Sequence, residues 1–141
     1  MGMSGEILAP KPALILCVDD DPTIRAVTRK ALERKGFRVL VASELEEAIG
    51  AVESAPEAVS LVILDRTMPG MVIEAVVGRL REMRPGLKVV LTSGYDRATA
   101  MASVSRRLVD GFLQKPYNPK QLAQLVQRVL GPSTKVFRSG A

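Results

Sequence analysis

The stretch Leu61-Val62-Ile63-Leu64-Asp65 decides how the rest of the chain is read. Four apolar residues in a row, two of them β-branched, describe a strand buried on both faces. The run stops at a carboxylate, and Arg66-Thr67-Met68-Pro69-Gly70 follows, where Pro and Gly demand a loop. A single acid at the end of a buried strand only marks where the chain surfaces. Here, apolar runs end on chemically capable side chains four times, and that repetition is the signal.

Upstream, Leu14-Ile15-Leu16-Cys17-Val18 is a first buried strand running into Asp19-Asp20-Asp21-Pro22. Asp21 suits the cap of a helix with Pro22 at its first position. Ile24, Val27, Ala31 and Leu32 then fall on one helical face, and Gly36 ends the helix. Arg38 to Ala42 forms a second strand. Ser43 is expected to cap the next helix, with Glu46 completing a capping box. Leu45, Ala48, Ile49 and Val52 are its apolar stripe, and Pro56 closes the unit.

Downstream, Ile73, Val76, Val77 and Leu80 mark a third helix that ends near Pro85-Gly86. Leu87 to Leu91 is a fourth strand ending in Thr92-Ser93-Gly94. A weaker helix is expected over residues 97–107, with Ala98, Met101 and Ala102 as its thin apolar face. Gly111-Phe112-Leu113-Gln114 is a short fifth strand ending in Lys115-Pro116. Asn118-Pro119 starts a last helix with the stripe Leu122, Leu125, Val126 and Val129, and Gly131-Pro132 stops it. Residues 1–12 read as a flexible lead-in, 13–130 as one domain, and 131–141 as a polar tail. Strand and helix alternate five times, the pattern of an α/β fold with a parallel sheet and helices on both faces.

The 141 residues are 47% hydrophobic, enough for one real core, but aromatics are only 4%, so aliphatic side chains must fill it. Cys17 is the one cysteine, and there is no His, which argues against a soft-metal site such as zinc. The net charge of +5 is spread over helices and tail, with no dense basic run interleaved with aromatics, so no direct nucleic-acid binding is expected. No stretch is apolar for long enough to span a bilayer, and no signal-peptide pattern opens the chain, so a cytoplasmic protein is expected.

In an open parallel sheet, ligands bind beyond the carboxyl ends of the strands, where strand order reverses. Strand one ends in Asp19-Asp20, strand three in Asp65, strand four in Thr92 and strand five in Lys115. Neighbouring strands lie about 4.8 Å apart, so these ends would meet in one cleft. Three close carboxylates repel one another until a proton or a cation relieves them. Hard oxygen donors on one rim suit Mg²⁺. One carboxylate could then act as a nucleophile toward phosphorus, with Lys115 neutralising the phosphoryl oxygens and Thr92 donating to them. Asp19 and Asp20 are adjacent, as befits a metal-holding pair. Asp65 stands alone before its Pro-Gly loop and is the better nucleophile.

With these residues in view, the chain resembles the receiver domain of two-component response regulators, the single-domain chemotaxis-regulator type. The matching segments are ILCVDDDPTIR at 15–25, LVILDRTMPGM at 61–71, VVLTSGY at 89–95 and GFLQKPY at 111–117. The resemblance implies a flavodoxin-like three-layer sandwich with five parallel strands in the order 2-1-3-4-5. It implies Mg²⁺ held by Asp19, Asp20, Asp65 and the backbone carbonyl of Thr67, with Asp20 the more direct of the acidic pair. It further implies Asp65 as phosphoacceptor, Thr92 and Lys115 as phosphoryl-binding switch residues, Phe112 as the aromatic switch, and a cis Lys115-Pro116 bond. The implied partners are a histidine kinase or phosphotransfer domain and a downstream protein on the face of the fourth helix, fifth strand and fifth helix. The domain itself would be a signalling module, monomeric or weakly dimeric. The Thr92–Tyr95 and Gln114–Tyr117 segments resemble receivers of hybrid sensor kinases; a stand-alone regulator is the other form.

The chain also departs from that family. Val72-Ile73 stands where many receivers have Asp-Gly, which bears on the start of the third helix. Phe112 lacks a hydroxyl, so a switch there works through packing. Blander readings exist for each residue: Asp21 as a plain cap, Thr92 as a turn residue, Lys115 as a solvated strand end, Phe112 as core. A pseudo-receiver kept only for docking is the main rival function. An aspartate-nucleophile phosphatase would want a second Asp where Thr67 sits, no Gly-rich phosphate loop is present, and residues after 131 leave no room for a helix-turn-helix.

Overall fold

The computed structural model describes residues 12–55 and 58–131. The lead-in over 1–11, Pro56 as a helix stop and the tail over 132–141 lie outside them. Strands β1 (Leu14–Val18), β2 (Arg38–Ala42), β3 (Val59–Asp65), β4 (Lys88–Ser93) and β5 (Gly111–Gln114) alternate with helices α1 (Pro22–Arg34), α2 (Leu45–Ser54), α3 (Ile73–Met83), α4 (Arg97–Ala100) and α5 (Pro119–Leu130). All strand pairs are parallel, in the order β2-β1-β3-β4-β5. The expected flavodoxin-like topology is thus the observed one.

Strand residues alternate between two cores. Leu14, Leu16, Val18, Val62, Leu64, Val89 and Leu91 meet α2 and α3 on one face of the sheet. Ile15, Val39, Leu61, Ile63 and Val90 meet α1 and α5 on the other. From Leu61 to Asp65 every residue of β3 is buried, as the unbroken apolar run requires of a central strand. Gly36 (φ 92°) turns the chain after α1, and Gly70 (φ 77°) turns it after Asp65, conformations that a Cβ disfavours. Gly111 serves a different need. A Cβ there would lie 3.2 Å from both Leu125 Cδ1 and Val129 Cγ2, so its absence lets α5 rest directly on β5.

Several local expectations are corrected. On α1, Val27 is 47% exposed and the buried residues are Thr28, Ala31 and Leu32. Ala31 and Leu32 are buried as expected, and only Val27 gives way to its neighbour Thr28, because α1 turns Thr28 inward and leaves Val27 at the groove edge. On α2, Glu44 rather than Ser43 is the N-cap and makes no side-chain cap bond. The expected capping box does not form: Glu47, not Glu46, reaches back past the N-cap to accept from Ser43 N–H at 2.6 Å and from Ser43 Oγ at 3.0 Å. The helix expected over 97–107 shrinks to four residues, with Ala100 and Val104 buried and Ala98 and Ala102 exposed. Asp96 caps it by accepting from Thr99 N–H at 2.8 Å, and the chain then continues in turns.

That irregular segment is held from a distance. Arg81 on α3 donates to Leu87 O at 3.1 Å, Leu108 O at 2.7 Å and Asp110 Oδ2 at 2.9 Å. Asp110 Oδ2 also accepts from Val89 N–H at 2.8 Å, tying the entry of β5 to β4.

Candidate functional site

At the carboxyl ends of the strands, β1 delivers Asp19, β3 delivers Asp65, β4 delivers Thr92, and the turn after β5 delivers Lys115. Asp19 (2% exposed), Asp65 (1%) and Thr92 (1%) are buried, while Asp20 opens to solvent. One carboxylate oxygen from each of Asp19, Asp20 and Asp65 lies within 4.8 Å of the others. Lys115 Nζ bridges the two buried acids, 2.8 Å from Asp19 Oδ2 and 3.2 Å from Asp65 Oδ2.

Local structure fixes each of these groups. Asp21 caps α1 through Thr23 N–H, which leaves Asp19 Oδ1 to accept from Asp21 N–H at 2.9 Å. Asp65 Oδ1 accepts from Thr67 N–H at 3.0 Å and from Thr67 Oγ1 at 2.8 Å. Thr92 pairs in register with Asp65, and among the described residues its hydroxyl has only a long contact with Leu64 O, at 3.5 Å. The Lys115 amide donates to Ser93 O at 2.7 Å, and the Lys115-Pro116 bond is cis. Phe112 is half-buried and packs against the α2–α3 core.

The charges do not balance. Burial pushes the Asp19 carboxyl above the ordinary carboxylate range; Lys115 and the Asp21 amide oppose this, and the Asp65 charge adds to it. Burial works against the Lys115 ammonium too, yet hydrogen bonds and charge from Asp19 and Asp65 hold its pKa above the usual value. The geometry itself leaves the pocket short of positive charge, with a single lysine facing three carboxylates. An all-oxygen donor set with excess negative charge, open to solvent at Asp20, fits a hard divalent cation such as Mg²⁺.

Sequence reading left out two contacts. Arg25 Nη1 donates to Asp19 O at 2.7 Å, bracing the acidic turn from α1. Thr28, 0% exposed, shares a 2.9 Å hydrogen bond with the hydroxyl of Tyr117. A polar residue interrupting the apolar stripe of α1 was the available signal for Thr28. Beside this contact a groove of about 350 Å³ runs along α1, walled by Ile24, Val27, Pro116 and Tyr117 and reaching Lys115. Among the described residues, no helix is long and apolar enough to cross a membrane.

The response regulator receiver domain family matches residues 15–127. The sensor kinase CckA of Brucella abortus is 31% identical over 118 residues, which cover 84% of this chain and 12% of that protein. An uncharacterized 14.6 kDa protein of Leptolyngbya boryana is 35% identical over 116 residues, 81% of this chain and 87% of that one. The chain therefore spans about an eighth of the first relative and most of the second. Among solved structures, a response regulator receiver domain protein from Clostridium thermocellum has a TM-score of 0.76 at 22% identity, covering 88% of this chain and 98% of its own, a likeness of fold.

Proposed function

The chain belongs to the response regulator receiver domain family, and from that premise we propose that it accepts a phosphoryl group on Asp65 from the phosphohistidine of a histidine kinase or phosphotransfer domain. One observation carries this reading: the Lys115 ammonium lies 3.2 Å from Asp65 while Thr92 stands in register beside it. The nucleophile thus has a cation and a hydroxyl ready for the oxygens it would receive.

In the reaction, an Asp65 carboxylate oxygen attacks phosphorus in line. The new P–O bond forms as the P–N bond to the donor imidazole breaks, and the electron pair stays on that nitrogen, which takes up a proton. Asp19, Asp20, Asp65 and the Thr67 carbonyl would hold Mg²⁺, which supplies positive charge beside the transferring oxygens when bound. Lys115 neutralises a phosphoryl oxygen and trades its contact with the Asp65 carboxylate for one with the phosphate. The Thr92 hydroxyl leaves its long contact with Leu64 O and donates to the phosphate. As Thr92 moves, Phe112 repacks, and the face of α4, β5 and α5 changes its affinity for a downstream protein. The domain is a signalling module that catalyses only its own modification.

Intact mass after incubation with acetyl phosphate, with and without Mg²⁺ and beside Asp65→Asn, tests this. One phosphoryl adduct that needs both Mg²⁺ and Asp65 is expected. An adduct on Asp65→Asn would reassign the acceptor. No adduct, together with an NMR spectrum unmoved by beryllofluoride and Mg²⁺, would leave a docking module that has kept only the fold.

A further inference from the structure

Tyr117 lies two residues beyond Lys115, and its hydroxyl meets Thr28 Oγ1 at 2.9 Å inside the wall of α1. Packing alone does not ask for this contact. A phenylalanine ring would fill the same space, and a fully buried threonine hydroxyl is costly unless it is partnered. The hydrogen bond adds direction: a ring by itself can slide along α1, whereas two hydroxyls at bonding distance fix the turn to one point.

The surroundings give that point its importance. The turn is held at its start by β4, through Lys115 N–H to Ser93 O at 2.7 Å, and at Tyr117 by α1. Between the two anchors the Lys115 side chain crosses to Asp19 and Asp65. One helical turn before Thr28, on the same side of α1, Arg25 holds the Asp19 carbonyl at 2.7 Å. Helix α1 therefore grips both halves of the ion-paired site: the acidic turn after β1 and the lysine turn after β5.

We infer that the Tyr117–Thr28 hydroxyl pair is a positioning tether, which fixes residues 115–117 against α1 and so sets the reach of the Lys115 ammonium across Asp19 and Asp65. Tyr117 and Thr28 touch no reacting atom; they act through Lys115. This deepens the phosphoacceptor reading, and rests on it wherever phosphorylation is the readout.

The test combines a kinetic cycle with a direct view of the lysine. Tyr117→Phe and Thr28→Val should each slow phosphorylation by acetyl phosphate roughly fivefold to tenfold, the rate equivalent of one neutral hydrogen bond. The double variant should be no slower than either single one, and Thr28→Ser should restore the rate. In a Lys115→Ala background Tyr117→Phe should change nothing further. A wild-type rate in Tyr117→Phe overturns the inference, as does equal slowing in the Lys115→Ala background, which marks a general packing defect. If the wild-type protein takes no phosphoryl group, the phosphoacceptor reading has failed on its own account. The tether is then judged by the Lys115 Nζ resonance in ¹⁵N-lysine protein, which must move in both Tyr117→Phe and Thr28→Val; an unmoved resonance overturns it.

Discussion

Thr92 stands directly opposite Asp65 in the pairing of β4 with β3, and among the described residues the only partner of its hydroxyl is the Leu64 carbonyl at 3.5 Å. So loose a bond contributes little to the resting fold. Thr92→Val, nearly constant in volume, is expected to unfold in urea within about 1 kcal/mol of wild type. Asp65 should still be phosphorylated, but the Phe112 ring resonances should no longer shift afterwards. A full shift in the variant would remove Thr92 from the switch.

Lys115 is the only cation joined to the two buried acids among the described residues. Lys115→Ala leaves Asp19 and Asp65 facing each other without it, and stability in EDTA should fall by about 2 kcal/mol, below the cost of a fully buried pair because the site opens to water at Asp20. Added Mg²⁺ should recover most of the loss. Urea curves with and without Mg²⁺ decide this; equal losses in both would mean the lysine does not offset the acidic charge.

Alkaline stability should carry the mark of Tyr117. Burial pushes its phenol from 10.0 up to about 12, against the Thr28 bond that lowers it. The folded-state value is raised, so its contribution is complete below pH 10 and lost as pH climbs toward about 12. Tyr117→Phe should flatten that limb of the stability curve. Cys17, pushed by burial from 9.0 up to about 12, adds to the same limb and should react with thiol reagents only at the rate of unfolding.

Helix α3 starts from a poor cap. Val72 occupies the N-cap, makes no side-chain bond and is 60% exposed. Val72→Ser should raise stability by about 1 kcal/mol, read as a higher urea midpoint at constant slope. A fall would mean that the exposed valine packs more usefully than its accessibility indicates.

Arg81 holds three acceptors, Leu87 O at the entry to β4 and Leu108 O and Asp110 Oδ2 at the entry to β5. Arg81→Ala should cost about 2 kcal/mol and raise hydrogen exchange chiefly over 101–110. Exchange that rises evenly over the whole domain would show that the arginine supports the core at large rather than that segment.

What the sequence made legible follows the range of the forces involved. Strands β1, β2 and β5 stand where their apolar runs put them: β1 is buried along its whole length, while β2 and β5 are the part-exposed edges of the sheet, bounded by turn residues. The cleft of Asp19, Asp20, Asp65, Thr92 and Lys115 could be assembled on paper, since each residue sits at a strand end and topology does the rest. The segment 97–107 was misread because Ala98 and Ala102 satisfy a helical period while staying exposed, and its anchor, Arg81, lies 27 residues from the carbonyl of Leu108. Thr28 and Tyr117 are 89 residues apart, and no local pattern links them. The change from Glu46 to Glu47 at α2 follows from a helix that starts one residue later than the Ser43–Glu46 pattern implies.

The bare backbone at Gly111 gives the far side of the sheet a mechanical character. With Leu125 and Val129 seated where a Cβ would otherwise stand, no cushion separates β5 from α5. A side chain there would act as a spring, absorbing part of any displacement in its own torsions. Without it, strand and helix sit in direct contact, so that β5 and α5 are expected to move as one body, on the opposite side of the fold from α3.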